Sequence, residues 1–204
     1  MPLACYIPIL QLLFSCTDPS LSPELAAANP PPEQIEFCGI IDDQSDQYRP
    51  LYQQANQEPN GTAQDRLTAQ MAAVYRVRNQ RVMDSVQPRH FHIEEWGVRI
   101  DKISHYAQDS DGGSGTVIEL NLNANCRTTT TLQVDIADGT PLAALLADRH
   151  TGDPLAITGS FVMHYTDTTP SVRALEWSVT PNRSMLTPEY HIEVTRFGVR
   201  PPAS

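Results

Sequence analysis

The feature that most constrains this chain is a change, near His90, in the period of its apolar residues. Upstream they recur at helical spacing; downstream they alternate over short runs, as they do in strands with one face buried. Phe91 and Ile93 open a long first strand that resumes as Trp96, Val98 and Ile100, and the change of parity across Glu94-Glu95 and Gly97 predicts a bulge or bend. The loop Asp109-Ser110-Asp111-Gly112-Gly113-Ser114-Gly115 turns the chain. A second strand, Val117 to Asn123, directs Ile118, Leu120 and Leu122 inward and Glu119, Asn121 and Asn123 outward. A third, Thr131 to Ile136, repeats the pattern with Leu132, Val134 and Ile136 inside and Thr131, Gln133 and Asp135 outside. Next comes a short helix, Leu142 to Ala147, with Thr140 placed to cap it and Pro141 at its first position. The turn Thr151-Gly152-Asp153-Pro154 leads to a fourth strand with Leu155, Ile157, Phe161 and Met163. A hairpin-like return carries Leu175, Trp177 and Val179, and a last strand runs from Tyr190 to Phe197 with Ile192 and Val194.

The helical half reads from about Asp46 to Met83. Tyr48, Leu51, Tyr52 and Ala55 suit a short helix ending at Pro59-Asn60-Gly61. Thr62 with Asp65 can cap a second helix, on which Leu67, Met71, Val74 and Val82 fall near one face. Residues 17–45 form a Pro-rich tether by composition, with Pro19, Pro23, Pro30, Pro31 and Pro32 among Ser, Ala and Asn. Before it, an apolar run from Leu3 to Phe14, broken only by Pro8 and Gln11, has the length of a signal-peptide core and is too short to span a bilayer. It ends in Leu13-Phe14-Ser15-Cys16, which looks like a bacterial lipobox, although no Lys or Arg precedes the run. On that reading residues 1–16 are a signal-like segment, Cys16 is lipidated, and the protein is held at the membrane in the periplasm or cell envelope. The alternative is an N-terminal segment that packs on the domain or stays unstructured.

Three strands, a short helix and further strands, with the first strand bent at a glycine, is the order of the five-stranded oligonucleotide/oligosaccharide-binding (OB) barrel. Trp96-Gly97-Val98, Gly139-Thr140-Pro141-Leu142, Gly152-Asp153, Ser160-Phe161 and Pro188-Glu189-Tyr190, with Tyr52, Ala55 and Asn56 upstream, resemble a group of uncharacterised exported proteobacterial proteins. In that group a helical segment precedes an OB-like domain related to the tRNA-anticodon-binding type. The resemblance covers about residues 48–199. Relatives often carry a cysteine before the penultimate strand, where this chain has Ser171 and Val172. The resemblance implies a fold and a compartment and brings no catalytic residue. The expected fold is mainly β within α+β: an OB-like barrel over residues 89–200, preceded by a helical segment, 46–88, that packs on it.

Charge narrows the ligand. The chain holds 24 acidic and 14 basic side chains, a net charge of −10, and Lys102 is its only lysine. Between His90 and Arg200 fourteen carboxylates face eight Lys and Arg, so the barrel itself is acidic. OB barrels that hold single-stranded nucleic acid use basic grooves and stacked aromatics on strands two and three. The outward residues here, Glu119, Asn121, Asn123, Gln133 and Asp135, include neither. They suit a small ligand that presents hydrogen bonds, or the edge of an envelope protein, and they make nucleic acid an unfavourable partner.

Other constellations are sparse. Removal of the first fifteen residues would take away Cys5, and acylation would occupy Cys16. Cys38 and Cys126 are then left either as a disulfide in an oxidising compartment or as two thiols too far apart to bridge. His90, His92 and Glu94 would share one face of a regular strand, a usable metal pattern that surface residues on a strand also produce. Asp109-x-Asp111-Gly112 lacks the later ligands of a calcium loop. No nucleophile elbow, phosphate loop, HExxH or dinucleotide fingerprint occurs. The expectation is a binding module without cofactor, metal or catalytic residue; the competing readings are a cytosolic single-stranded nucleic-acid binder and a hydrolase with spatially assembled carboxylates.

Overall fold

The alternating runs close on themselves. In the computed structural model, which describes residues 30–107, 114–122, 125–163 and 180–198, five strands form a closed barrel: β1 (His92–Tyr106), β2 (Gly115–Asn121), β3 (Thr131–Ala137), β4 (Pro154–Phe161) and β5 (Glu189–Gly198). The order around the barrel is β1-β2-β3-β5-β4, with β4 returning to β1. Neighbours are antiparallel except β3 and β5, which run parallel. One long strand closes the barrel: the first half of β1 pairs with β4 and the second half with β2. The expected bulge lies between Ile93 and Trp96, where Glu95 takes φ +52°. Closure satisfies the backbone groups that an open sheet would leave at its edges.

Inward residues fill the barrel: Ile93, Trp96, Val98 and Ile100 from β1, Ile118 and Leu120 from β2, Leu132, Val134 and Ile136 from β3, Leu155, Ile157 and Phe161 from β4, and Tyr190, Ile192 and Val194 from β5. Two glycines mark close approaches. A Cβ on Gly159 would overlap the Glu193 carbonyl oxygen beside the bulge between β4 and β5, and one on Gly115 would strike the Tyr106 ring. The short helix α3 (Pro141–Leu146) joins β3 to β4 and is capped as expected, the Thr140 hydroxyl accepting from the Ala143 N–H.

The helical half departs from expectation. Helix α1 runs over Pro32–Gln57, so residues 32–45 belong to a helix and not to a tether. Pro32 stands at a first-turn position, where a missing N–H is harmless, and Glu33 there favours the positive end of the helix dipole. Helix α2 (Gly61–Val86) is capped by Asn60, whose side chain accepts from the Ala63 N–H, and not by Thr62. A 3₁₀ turn (Gln87–Arg89) and two residues of positive φ, His90 and Phe91, feed the chain into β1. His90 therefore lies outside the strand that carries His92 and Glu94. Among the described residues no group of His, Cys, Asp or Glu is arranged to hold a metal.

Helix α1 closes the barrel end formed by the start of β1 and the end of β4. Phe37 is 1% exposed, and its ring centroid lies 5.1 Å from that of Trp96, 5.6 Å from Phe161 and 5.3 Å from Tyr190. Burial of such a side chain stabilises by roughly 1.5–3 kcal/mol. Gln34, fully buried, donates to the Gly97 carbonyl at 2.7 Å and accepts from the Gly97 N–H at 2.9 Å, filling the backbone positions of the bend in β1. Asp42 accepts from the backbone N–H groups of Arg127 and Thr128 in the β2–β3 connection. In the same contact Cys38 and Cys126 are joined by a disulfide, with Cα atoms 4.8 Å apart.

A further helix, α4 (Pro181–Leu186), precedes β5 and was not evident from the sequence. It docks on α1 and α2 through polar groups. Ser45 donates to the Met185 carbonyl, Tyr48 donates to the Asn182 side chain, and the buried Arg78 guanidinium donates to the Ser184 carbonyl and hydroxyl at 2.7 Å each. The region read as a hairpin-like return, with Leu175, Trp177 and Val179, lies outside the described residues, as does the 109–113 part of the glycine-rich loop.

Candidate functional site

The outward residues of β2 and β3 meet because the two strands pair in register. Glu119 stands opposite Gln133, Asn121 opposite Thr131, and Val117 opposite Asp135. Their inward neighbours, Ile118, Leu120, Leu132 and Val134, are fixed in the core, so a slip of one residue is excluded energetically and the polar set stays on the outside. Glu119, Asn121 and Gln133 are half-buried and Asp135 is exposed. Asn123, and Cys16 with residues 17–29, lie outside the described residues.

Two residues that the sequence did not place here complete the surface. Lys102 on β1 is opposite Glu119, and its Nζ lies 3.0 Å from Glu119 Oε1. His191 on β5 is opposite Gln133, and its Nε2 lies 2.9 Å from Asp135 Oδ2. The result is a row, Lys102–Glu119–Gln133–His191, across four strands, with Asp135 beside its far end. At the ordinary strand spacing it extends about 14 Å. Alternation in the last strand could have pointed His191 outward, but its place beside Gln133 follows from the parallel closure of β5 on β3, a non-local pairing.

The row has a definite chemistry. Both carboxylates are engaged, Glu119 by the Lys102 ammonium and Asp135 by the His191 ring. Gln133 supplies a donor pair and an acceptor, and Asn121 supplies another set one step along the strand. Lys102 is 61% and Asp135 41% exposed at the side chain, whereas His191 is 18% exposed and thus held more firmly. Among the row residues there is no aromatic platform, and Lys102, the one permanent cation, is paired. Such a surface matches partners that both give and accept hydrogen bonds, such as hydroxyls or the edge of a peptide backbone, better than a polyanion.

No protein-family profile matches the chain, and neither a curated protein nor a solved structure matches it. Among the described residues, no helix is long and apolar enough to cross a membrane.

Proposed function

We propose that this chain is a non-catalytic binding module of the bacterial cell envelope, an OB-type barrel that takes a small hydrogen-bonding ligand or a protein edge on the outer face of β2 and β3. The observation that carries the reading is the row Lys102–Glu119–Gln133–His191, in which Lys102 pairs with Glu119 and His191 contacts Asp135, with the half-buried amides of Gln133 and Asn121 beside them. The disulfide between Cys38 and Cys126 supports an oxidising compartment, because cytosolic thiols are kept reduced. Leu13-Phe14-Ser15-Cys16 supports lipidation at Cys16 and a membrane anchor.

Two measurements test it. Fractionation of expressing cells with intact mass should return an envelope product that begins at Cys16 and carries acyl mass; an unprocessed cytosolic chain refutes the compartment. Ligand-observed NMR with a periplasmic small-molecule extract should show signals attenuated by the protein and restored by Gln133→Ala with Asn121→Ala. If the double variant attenuates the same signals, the face is wrong.

The runner-up, a cytosolic binder of single-stranded nucleic acid, draws its support from the likeness to the tRNA-anticodon-binding type of OB domain. Fluorescence anisotropy with a labelled oligothymidylate at low salt separates the two. Salt-sensitive retention would favour the runner-up, since phosphate contacts release counterions.

A further inference from the structure

The barrel end away from α1 carries a cavity that the polar row does not use. It lies beside α3, has a volume of 190 Å³, and is lined by Leu145, Leu146, Arg149, Leu155, Phe197 and Gly198. Its walls are mainly apolar. Leu146 and Leu155 belong to the barrel core, Phe197 packs against that core, and Leu145 is left 57% exposed. An exposed leucine beside an open apolar cavity is a surface that gains by being covered.

Arg149 is the one charged side chain among the described lining residues. It is half-buried, and among the described residues no carboxylate pairs with it. A guanidinium offers a planar fork of N–H donors that fits a carboxylate with two parallel bonds. Size limits the other half of the ligand. An apolar cavity of about 150 Å³ takes a benzene ring, so this one has room for a phenyl group or a short aliphatic chain. The net charge of −10 disfavours ligands with several negative charges.

We propose that this cavity is a binding site for a small monocarboxylate with an apolar tail, the tail against Leu145, Leu146, Leu155 and Phe197 and the carboxylate on Arg149. The site is separate from the β2–β3 face and does not depend on the reading given to that face. Gly198 lines the cavity, and a Cβ there would meet nothing within 4 Å, so a side chain can be introduced at this point of the wall.

The test is an amide-correlation NMR titration of the full chain with hexanoate, with neutral hexanamide and tail-less acetate as controls. Hexanoate should shift the resonances of Leu145, Arg149, Phe197 and Gly198 and bind about tenfold more tightly than hexanamide, the difference expected of one charge-assisted contact. Acetate should bind more weakly than either. Arg149→Gln should remove the preference for hexanoate over hexanamide, and Gly198→Leu should abolish both. The proposal is overturned by equal binding of hexanoate and hexanamide to the native chain, by a preference retained in Arg149→Gln, by shifts confined to other residues, or by no binding. A dimer in sedimentation that buries Leu145 and resists hexanoate would assign the patch to a second copy and overturn it as well. Should Gly198→Leu fail to fold, the amide control and Arg149→Gln still decide.

Discussion

Single side chains carry much of the specificity of this fold. Gln34 substitutes for a strand neighbour at the bend in β1, meeting both the N–H and the carbonyl of Gly97. Gln34→Leu keeps the volume and leaves the buried N–H without an acceptor, so it should lower stability by about 2 kcal/mol in denaturant unfolding; an unchanged midpoint would show that water replaces the amide. Tyr48 has a pKa raised above the ordinary tyrosine value, first by burial and then by repulsion from Tyr52 and Tyr75. The folded state therefore holds this proton more tightly than the unfolded chain does. The stabilisation is fully present below the unfolded value of about 10 and is lost as pH rises through the folded one. Unfolding midpoints measured between neutral pH and pH 11 should fall at the alkaline end, and less steeply in Tyr48→Phe.

At the scale of elements, α1 is held at both its core and its covalent contact with the barrel. The disulfide spans 88 residues of sequence, and loop closure of that length predicts about 4–5 kcal/mol of stabilisation. Cys38→Ser with Cys126→Ser should lose most of it, seen as a lower denaturant midpoint that matches the wild type under reductant; a midpoint that stays put would mean the helix docks without covalent help. What could be read in advance divides at this same scale. The five barrel strands, the bulge near Glu95 and the Thr140 cap were legible because alternation and capping are local signals. The first half of α1 was not, because its buried face carries Gln34, Asp42, Gln44 and Ser45 among the apolar residues, and three consecutive prolines looked like linker although Pro32 sits where a helix tolerates it. Helix α4 was missed for a related reason, since it docks through Tyr48, Arg78 and Ser184 and not through an apolar stripe. In the candidate site, Glu119, Asn121, Gln133 and Asp135 were visible from alternation, while Lys102 and His191 needed the register of strands distant in sequence.

For the whole molecule, the consequence of the Phe37 contact is that helices and barrel share one core. Phe37, Trp96, Phe161 and Tyr190 join α1, β1, β4 and β5 in a single aromatic cluster. Thermal unfolding followed by helix signal in the far ultraviolet and by aromatic signal in the near ultraviolet should therefore coincide. Phe37→Ala, expected to cost about 3–5 kcal/mol, should shift both together; separate transitions would show that the helices form an independent unit. The covalent link has a mechanical meaning as well. Pulling on any residue upstream of Cys38, as a membrane anchor at Cys16 would do, delivers the load through the sulfur bridge straight into the β2–β3 connection. Where the opposing hold is downstream of Cys126, the intervening chain, about 300 Å if drawn out straight, is bypassed while the bridge is intact, so most of α1, all of α2 and the first two strands are shielded from being unravelled by force applied upstream of Cys38.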